Sequence, residues 1–396
     1  MPCRSSIKLG GIYQEMKGQR KNSRDRISAL PQDTIEKILT LMPIRDALRT
    51  SILSRKWRYC WTTMAKLVFN DRNGNEEIDE HKFVKAIFHV LLLHKAPILE
   101  FSLFVNSEIF SEIDQIILHL SRGNNLKKFI FEILGTDTYL LPRSFFSLQG
   151  LEYLDLSYCT FELPLMYNGF SRLKTLRFCD VSITIDMLFQ FLINCPIVEE
   201  FAWLRDYWID MEITEYEFVE LFKCLPSIQV LEFSRLYIKP LAACGMPHKL
   251  PISLPHLRIL VLGVCFVDLS TVLCVINSCP NLEKIKMEMY WDHNKCLQQT
   301  FSNLHDIQDY LGLKLDHLKE MEITSFTNHA LEMEFVKLVM ANSPVLKKAL
   351  VELDISVSVD EEVKMLRDLL QIPFPRASPT ANFIIKRPKN YYRYRN

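Results

Sequence analysis

The chain has 396 residues, 48% of them apolar and 24% charged, with 47 basic side chains against 47 acidic ones. That apolar fraction supports a sizeable core and excludes wholesale disorder, and zero net charge gives no reason to expect nucleic-acid binding or electrostatic membrane attachment. Glycine, at 11 residues, is scarce, and none of the glycines forms the GxGxxG or GxxxxGK of a phosphate loop.

The neutral total is uneven. Residues 1–26 hold 7 basic and 2 acidic side chains, and residues 386–396 hold 5 basic and none acidic. Residues 27–385 therefore carry 35 basic against 45 acidic, a net charge of −10 between two basic ends. Within the first of these, Lys17, Arg20, Lys21, Arg24 and Arg26 read either as a nuclear-import signal or as part of a solvated, disordered leader.

The 11 cysteines contain no CxxC pair and no zinc-finger spacing with histidine. The first 26 residues lack the apolar run of a signal peptide. The most apolar stretches, 86–93 and 259–267, fall short of the ~20 residues a membrane helix needs. A reducing compartment, nucleus or cytoplasm, is the expectation.

The first structured segment begins at Arg26. Asp33 and Glu36 have the spacing of a capping box, and Ile35, Ile38, Leu39 and Met42 share one helical face. Pro43 ends that helix. Asp46 can cap a second carrying Leu48, Ile52 and Leu53, and Trp57 and Trp61 share a face in a third turn. Three short helices bury little, so the unit reads as a cap on the next domain or as a module whose apolar surface a partner covers.

The run Leu30-Pro31, Ile35-x-x-Ile38-Leu39-x-x-Met42-Pro43 and Asp46-Ala47-Leu48-Arg49-Thr50-Ser51-x-Leu53-Ser54-Arg55-Lys56-Trp57-Arg58-x-x-Trp61 closely resembles an F-box of the plant form. The resemblance implies docking to a Skp-type adaptor and, through it, to a cullin ubiquitin ligase. Leu30, Pro31, Ile35, Ile38, Leu39, Leu53 and Trp57 would serve or support that interface. Gln32-Asp33 departs from the acidic residue that animal members often place two after the proline.

From about residue 126 the pattern L-x-x-L-x-L-x-x-[CVLF] recurs, clearest from Leu151 to Cys159, Leu173 to Val181, Ile228 to Leu236 and Leu257 to Cys265. Weaker copies start at Leu126, Val198, Leu282, Leu318 and Leu346, and successive copies start 22 to 36 residues apart. That straddles the ~20–29 of leucine-rich repeats. Helical stretches such as Ile185 to Leu192 lie between the strands, and Cys195-Pro196, Leu225-Pro226, Cys279-Pro280 and Ser343-Pro344 break the chain before the next strand. Cys159, Cys265, Cys195, Cys224 and Cys279 then read as small buried residues. Before residue 150, Leu99 to Leu103 and Leu126 to Phe131 fit only loosely.

The last segment places Phe335, Leu338 and Val339 on a helix face, Leu346, Leu350 and Val351 in a strand, and Val363, Leu366, Leu369 and Leu370 in a second helix. With Arg376-Ala377-Ser378-Pro379 it closely resembles the FBD domain of plant F-box proteins, and capping the array is its preferred role over a separate binding site. The expected fold class is α/β: a small three-helix F-box, an irregular leucine-rich-repeat solenoid of parallel strands plus helices, and an FBD-like cap. The expected divisions are a disordered basic leader over 1–25, the F-box over 26–72, repeats over 73–310, the cap over 311–385 and a basic tail over 386–396.

No HExxH, GxSxG or metal cluster occurs, and residues such as His293 beside Asp292 carry no catalytic pattern. No enzyme, catalytic residue, metal or cofactor is expected; the partners are the adaptor with its cullin and an unknown protein target. In a leucine-rich strand the third, fifth and seventh residues face the concave side. That makes Tyr153, Asp155, Arg177, Glu232, Lys284 and Lys286 candidate target contacts. Trp203, Arg205, Tyr207 and Trp208 form an aromatic stretch that reads as a contact or as packing onto the solenoid. The function expected is substrate recognition for ubiquitination; a scaffold or decoy without a degradation target and a small-molecule-sensing receptor are the alternatives.

Overall fold

The computed structural model describes residues 27, 29–71, 80–106, 110–135, 138–204, 215–234, 250–265, 269–290, 312–371 and 377–388. The basic cluster at 17–26 and His293 lie outside them.

The N-terminal module contains α1 (Gln32–Thr40), α2 (Ile44–Arg49) and 3-10 turns at Thr50–Ile52 and Trp57–Thr63. The capping box expected at Asp33 and Glu36 does not form. Pro31 and Pro43, each at φ −57, occupy the N-cap positions with no side-chain cap bond, and Asp33 and Asp46 lie within the first turns. Proline fixes the entry angle that a cap would otherwise set, and the acids retain a favourable place near the positive end of the helix. Trp57 and Trp61 are both buried, in a 3-10 turn rather than an α-helix.

The module runs directly into β1 (Lys66–Asn70), inside the span expected for the F-box. Thirteen further strands follow: β2 (Glu100–Val105), β3 (Lys128–Ile133), β4 (Tyr139–Leu140), β5 (Tyr153–Ser157), β6 (Cys159–Thr160), β7 (Thr175–Cys179), β8 (Glu200–Leu204), β9 (Val230–Phe233), β10 (Ile259–Cys265), β11 (Lys284–Tyr290), β12 (Glu320–Phe326), β13 (Lys348–Leu353) and β14 (Asn382–Lys386). Twelve make one sheet in chain order, skipping only β4 and β6, which pair with each other. All recorded pairings are parallel, so each repeat adds one strand beside the last, as in a solenoid. The loosely fitting segments near Leu99 and Leu126 supply β2 and β3.

The register explains the pattern. Leu67, Phe101, Phe129, Leu154, Leu176, Phe201, Leu231, Leu260, Ile285, Met321 and Ala349 stack as one buried row. Phe69, Leu103, Phe131, Leu156, Phe178, Trp203, Phe233, Leu262, Met287, Ile323 and Val351 make a second. Side chains alternate across a strand, so the two leucine positions of x-x-L-x-L necessarily share the inner face.

The returning segments include α3 (Glu80–Leu93), α4 (Phe110–Gly123), α5 (Ile185–Ile193), α6 (Glu215–Lys223), α7 (Leu269–Asn277), α8 (Ala330–Ala341) and α9 (Val359–Gln371). Where a returning segment is irregular, around 143–147 and 161–172, phenylalanines fill the core instead. Phe145, Phe146, Phe161, Phe170 and Phe191 interlock at ring-centroid distances of 5.2 to 6.5 Å. Gly169 (φ +75) lies there, and a Cβ would meet the Asn194 carbonyl oxygen at 1.8 Å. The five cysteines assigned to packing are buried, and burial pushes the Cys159 and Cys279 thiols up.

In the last repeats Phe335, Leu338 and Val339 pack inward from α8 as the pattern requires. Among the described side chains of α9, Met365 is buried, Leu366 half-buried and Val363 exposed; those of Leu369 and Leu370 lie outside the described ones. β14 continues the sheet into residues expected to begin a tail, with Lys386 paired to Glu352 at 2.7 Å and Arg387 to Glu362 at 2.6 Å.

Candidate functional site

Two surfaces differ from the rest of the molecule. The first lies on the N-terminal module. Ile35, Leu39 and Trp57 are buried and form its core, and the Trp57 indole Nε1 donates to the Ile27 carbonyl at 3.3 Å. Leu30 is half-buried, and its carbonyl accepts from Lys56 Nζ. Pro31 and Ile38 are exposed, and Leu53 is 51% exposed. Two residues absent from the sequence-based list are more open still: Leu41 at 88% and Ile52 at 87%. Large aliphatic side chains stand in water this completely elsewhere too, at Leu165 and Met166, but here they cluster on a small unit with little core of its own. Leu41 lies just past the end of α1, and Ile52 lies in the 3-10 turn Thr50–Ile52 rather than in the helix to which its spacing with Leu48 assigns it.

Hydrogen bonds at the end of this module tie it to the start of the solenoid. Lys95 N donates to the Thr62 carbonyl at 2.8 Å, His94 Nε2 lies 2.8 Å from the Met64 carbonyl oxygen, and Glu100 N donates to the Ala65 carbonyl at 2.9 Å.

The second surface is the open face of the sheet, made by the outward side chains that alternate with the buried rows. Tyr153, Asp155, Arg177 and Glu232 come together there across β5, β7 and β9. Tyr153 Oη donates to Asp155 Oδ2 at 3.3 Å, Arg177 Nε lies 3.8 Å from the same oxygen, and Arg177 Nη1 donates to Glu232 Oε2 at 3.0 Å. Arg177 and Glu232 are not on neighbouring strands; Ala202 separates them in register, and its methyl leaves room for the guanidinium to cross.

Burial raises the Asp155 carboxyl despite Arg177, and burial followed by the Asp155 charge raises Tyr153. Desolvation alone would lower Arg177, but Glu232 and Asp155 outweigh it and raise its pKa. Lys128 Nζ sits 4.0 Å from the centre of the Tyr153 ring. Farther along, Lys284 pairs with Glu320 at 2.8 Å, while Lys286 is exposed.

Trp203 does not belong to this surface. It is 0% exposed, in the third leucine position of its repeat on β8, where its indole fills the core beside Phe201 and Phe233. It is a packing residue and not a contact, because an inward position on a strand leaves no path to solvent. Arg205, Tyr207 and Trp208 lie outside the described residues.

Among the described residues no group of three or more His, Cys, Asp or Glu side chains could hold a metal ion, and no helix is long and apolar enough to cross a membrane.

The first surface and the sheet together define an F-box protein with a leucine-rich-repeat-like solenoid. Residues 27–69 match the F-box domain, and residues 315–351 match FBD. The F-box/FBD/LRR-repeat protein At1g13570 of Arabidopsis thaliana is 29% identical over 91% of this chain and 98% of its own length. The FBD-associated F-box protein At5g56370 of the same plant is 29% identical over 67% of this chain and 59% of its own length. A further F-box/FBD/LRR-repeat protein of that plant, At5g56420, is 32% identical over 45% of this chain and 43% of its own length. The chain thus carries an F-box match and an FBD match and is similar to plant F-box/FBD/leucine-rich-repeat proteins along most of its length. F-box domains generally bind Skp1-type adaptors in cullin complexes, and F-box proteins are typically non-catalytic substrate receptors.

Proposed function

We propose that this chain is the substrate-recognition subunit of a Skp–cullin–F-box ubiquitin ligase acting in the nucleus or cytoplasm, without chemistry of its own. In that reading the chain supplies proximity: it holds a target near ubiquitin-transfer machinery carried by other subunits. Residues 26–72 dock the adaptor, 73–310 recognise the target, and 311–385 cap the array. Within the F-box, Ile35, Leu39 and Trp57 act as the internal support, with Leu30 at its margin. Pro31, Ile38 and Leu53, together with Leu41 and Ile52, touch the adaptor. Target contacts come from the open face, from Tyr153, Asp155, Arg177, Glu232, Lys284 and Lys286.

The observation that carries the reading is the exposure of Leu41 and Ile52 on a domain whose family binds such adaptors. Affinity capture of the adaptor by the full chain tests it. Wild type retains the adaptor, and Ile38→Asp with Leu53→Asp loses it while the melting temperature stays the same. Retention by that variant would reject the docking surface.

A further inference from the structure

The open face is not uniform between β5 and β12. Its outward side chains include the carboxylates of Asp155, Glu200, Glu232, Glu288, Glu320 and Glu322, against the bases Arg177, Lys284 and Lys286. Two of the bases are already engaged, Arg177 by Glu232 and Asp155, and Lys284 by Glu320. Glu200 is exposed and among the described residues accepts the Thr175 hydroxyl, at 3.3 Å. Glu288 is exposed as well, and among the described residues neither Glu200 nor Glu288 makes an ion pair.

Between those two carboxylates the face turns apolar. Val230 on β9 and Ile259 and Val261 on β10 are outward and half-exposed, with Gly263 adding no side chain beyond them. In register the order across strands is Glu200, Val230, Ile259, Lys284 in one row and Ala202, Glu232, Val261, Lys286 in the next. The strip from β8 to β11 is three strand spacings wide, ~14 Å, which an extended segment crosses in about four to five residues.

We propose that the target binds here through an extended basic segment. Its aliphatic or aromatic side chain would seat on Val230, Ile259 and Val261, and Lys or Arg side chains would reach Glu200 and Glu288. This rests on the reading of the open face as the target site. Charge complementarity supports it at two scales, the uncompensated carboxylates beside the strip and the net charge of −10 over residues 27–385.

The test selects a phage-displayed library of random dodecapeptides on the full chain, followed by affinities of the enriched peptides for charge-reversed variants. Enriched peptides are expected to be basic with one large apolar residue. Glu200→Lys with Glu288→Lys should weaken them at least about fivefold, and raised salt should weaken them as well. Enrichment of neutral or acidic peptides, or affinities within twofold for the reversed variant, overturns the basic-segment assignment. Val261→Lys separates the two levels: if it too leaves binding unchanged, or no peptide is enriched, the open face is not the target site. A tenfold gain in peptide affinity on removal of residues 1–26 would instead make that basic leader the occupant and reject the target as its ligand.

Discussion

The F-box and the solenoid both leave some large aliphatic residues in water, Leu41 and Ile52 in the one and Leu165 and Met166 in the other, but they differ in how the rest are packed. In the solenoid two rows run from β1 to β13 with nearly every member sealed from water, because each strand is covered by the next and by a returning segment. In the F-box the core is a handful of residues around Ile35, Leu39 and Trp57, and Leu41 and Ile52 stand in solvent. The repeat array seals its strand rows with its own repeats, whereas the small core of the F-box leaves Leu41 and Ile52 uncovered. A sequence can be equally apolar in both regions and mean different things, depending on whether the next repeat or another chain provides the cover.

The comparison breaks most visibly at Trp203. If it is core, Trp203→Ala lowers stability by about 3–5 kcal/mol, read from the denaturant midpoint. A stable variant that only lost target capture would return it to the surface.

The second effect concerns the FBD region. Glu332 on α8 is buried, and its Oε2 accepts Thr327 N at 3.0 Å, the Thr327 hydroxyl at 3.1 Å and His329 N at 2.9 Å. Burial nevertheless pushes its pKa up from 4.5 to about 7. The unfolded chain releases this proton as pH rises past 4.5, and the folded chain keeps it until about 7. Ionisation therefore costs stability over that window, and the cost, roughly 3 kcal/mol, is complete above it. Glu332→Gln can keep the accepting oxygen without the charge. Wild type should lose melting temperature relative to this variant as pH rises from 4.5 to 8, and parallel profiles would contradict the assignment. His329, whose pKa burial lowers, is common to both proteins and drops out of the difference.

Smaller effects follow on the exposed surfaces. A double-mutant cycle on Arg177→Ala and Glu232→Ala should give a coupling of about 0.5–1 kcal/mol, modest because both side chains remain about a third exposed. No coupling would mean that the guanidinium does not cross Ala202. Leu41→Glu with Ile52→Glu should change stability least, by no more than about 0.5 kcal/mol. A loss comparable with that of Trp203→Ala would erase the distinction between the two regions.

Most of the solenoid was legible because L-x-x-L-x-L fixes both the strand and its inner face. β2 and β3 were harder, since phenylalanine occupies several of their leucine positions, yet Phe101, Phe129 and Phe131 fill the same rows. Trp203 was misleading because Arg205, Tyr207 and Trp208 follow it and make the run look like an interface; its place in the repeat was the better guide. The helix caps were misread for a related reason. Asp33 and Asp46 have the right chemistry, but Pro31 and Pro43 come first and fix the helix starts. Leu41 follows the periodic face of α1 and so carries no periodic signal, while the spacing of Ile52 with Leu48 reads as a buried helical face, whereas the 3-10 turn Thr50–Ile52 leaves its side chain in solvent. Nothing local in the sequence announces that Arg177 reaches past β8, since that depends on the small residue a parallel neighbour places there.

Hydrogen–deuterium exchange of the full chain, with and without the purified Skp-type adaptor, tests the central claim most directly. The account predicts that the adaptor slows exchange between Leu30 and Trp57 and leaves the strands from β5 to β13 unchanged. Protection confined to the solenoid, or none anywhere at saturating adaptor, would contradict it.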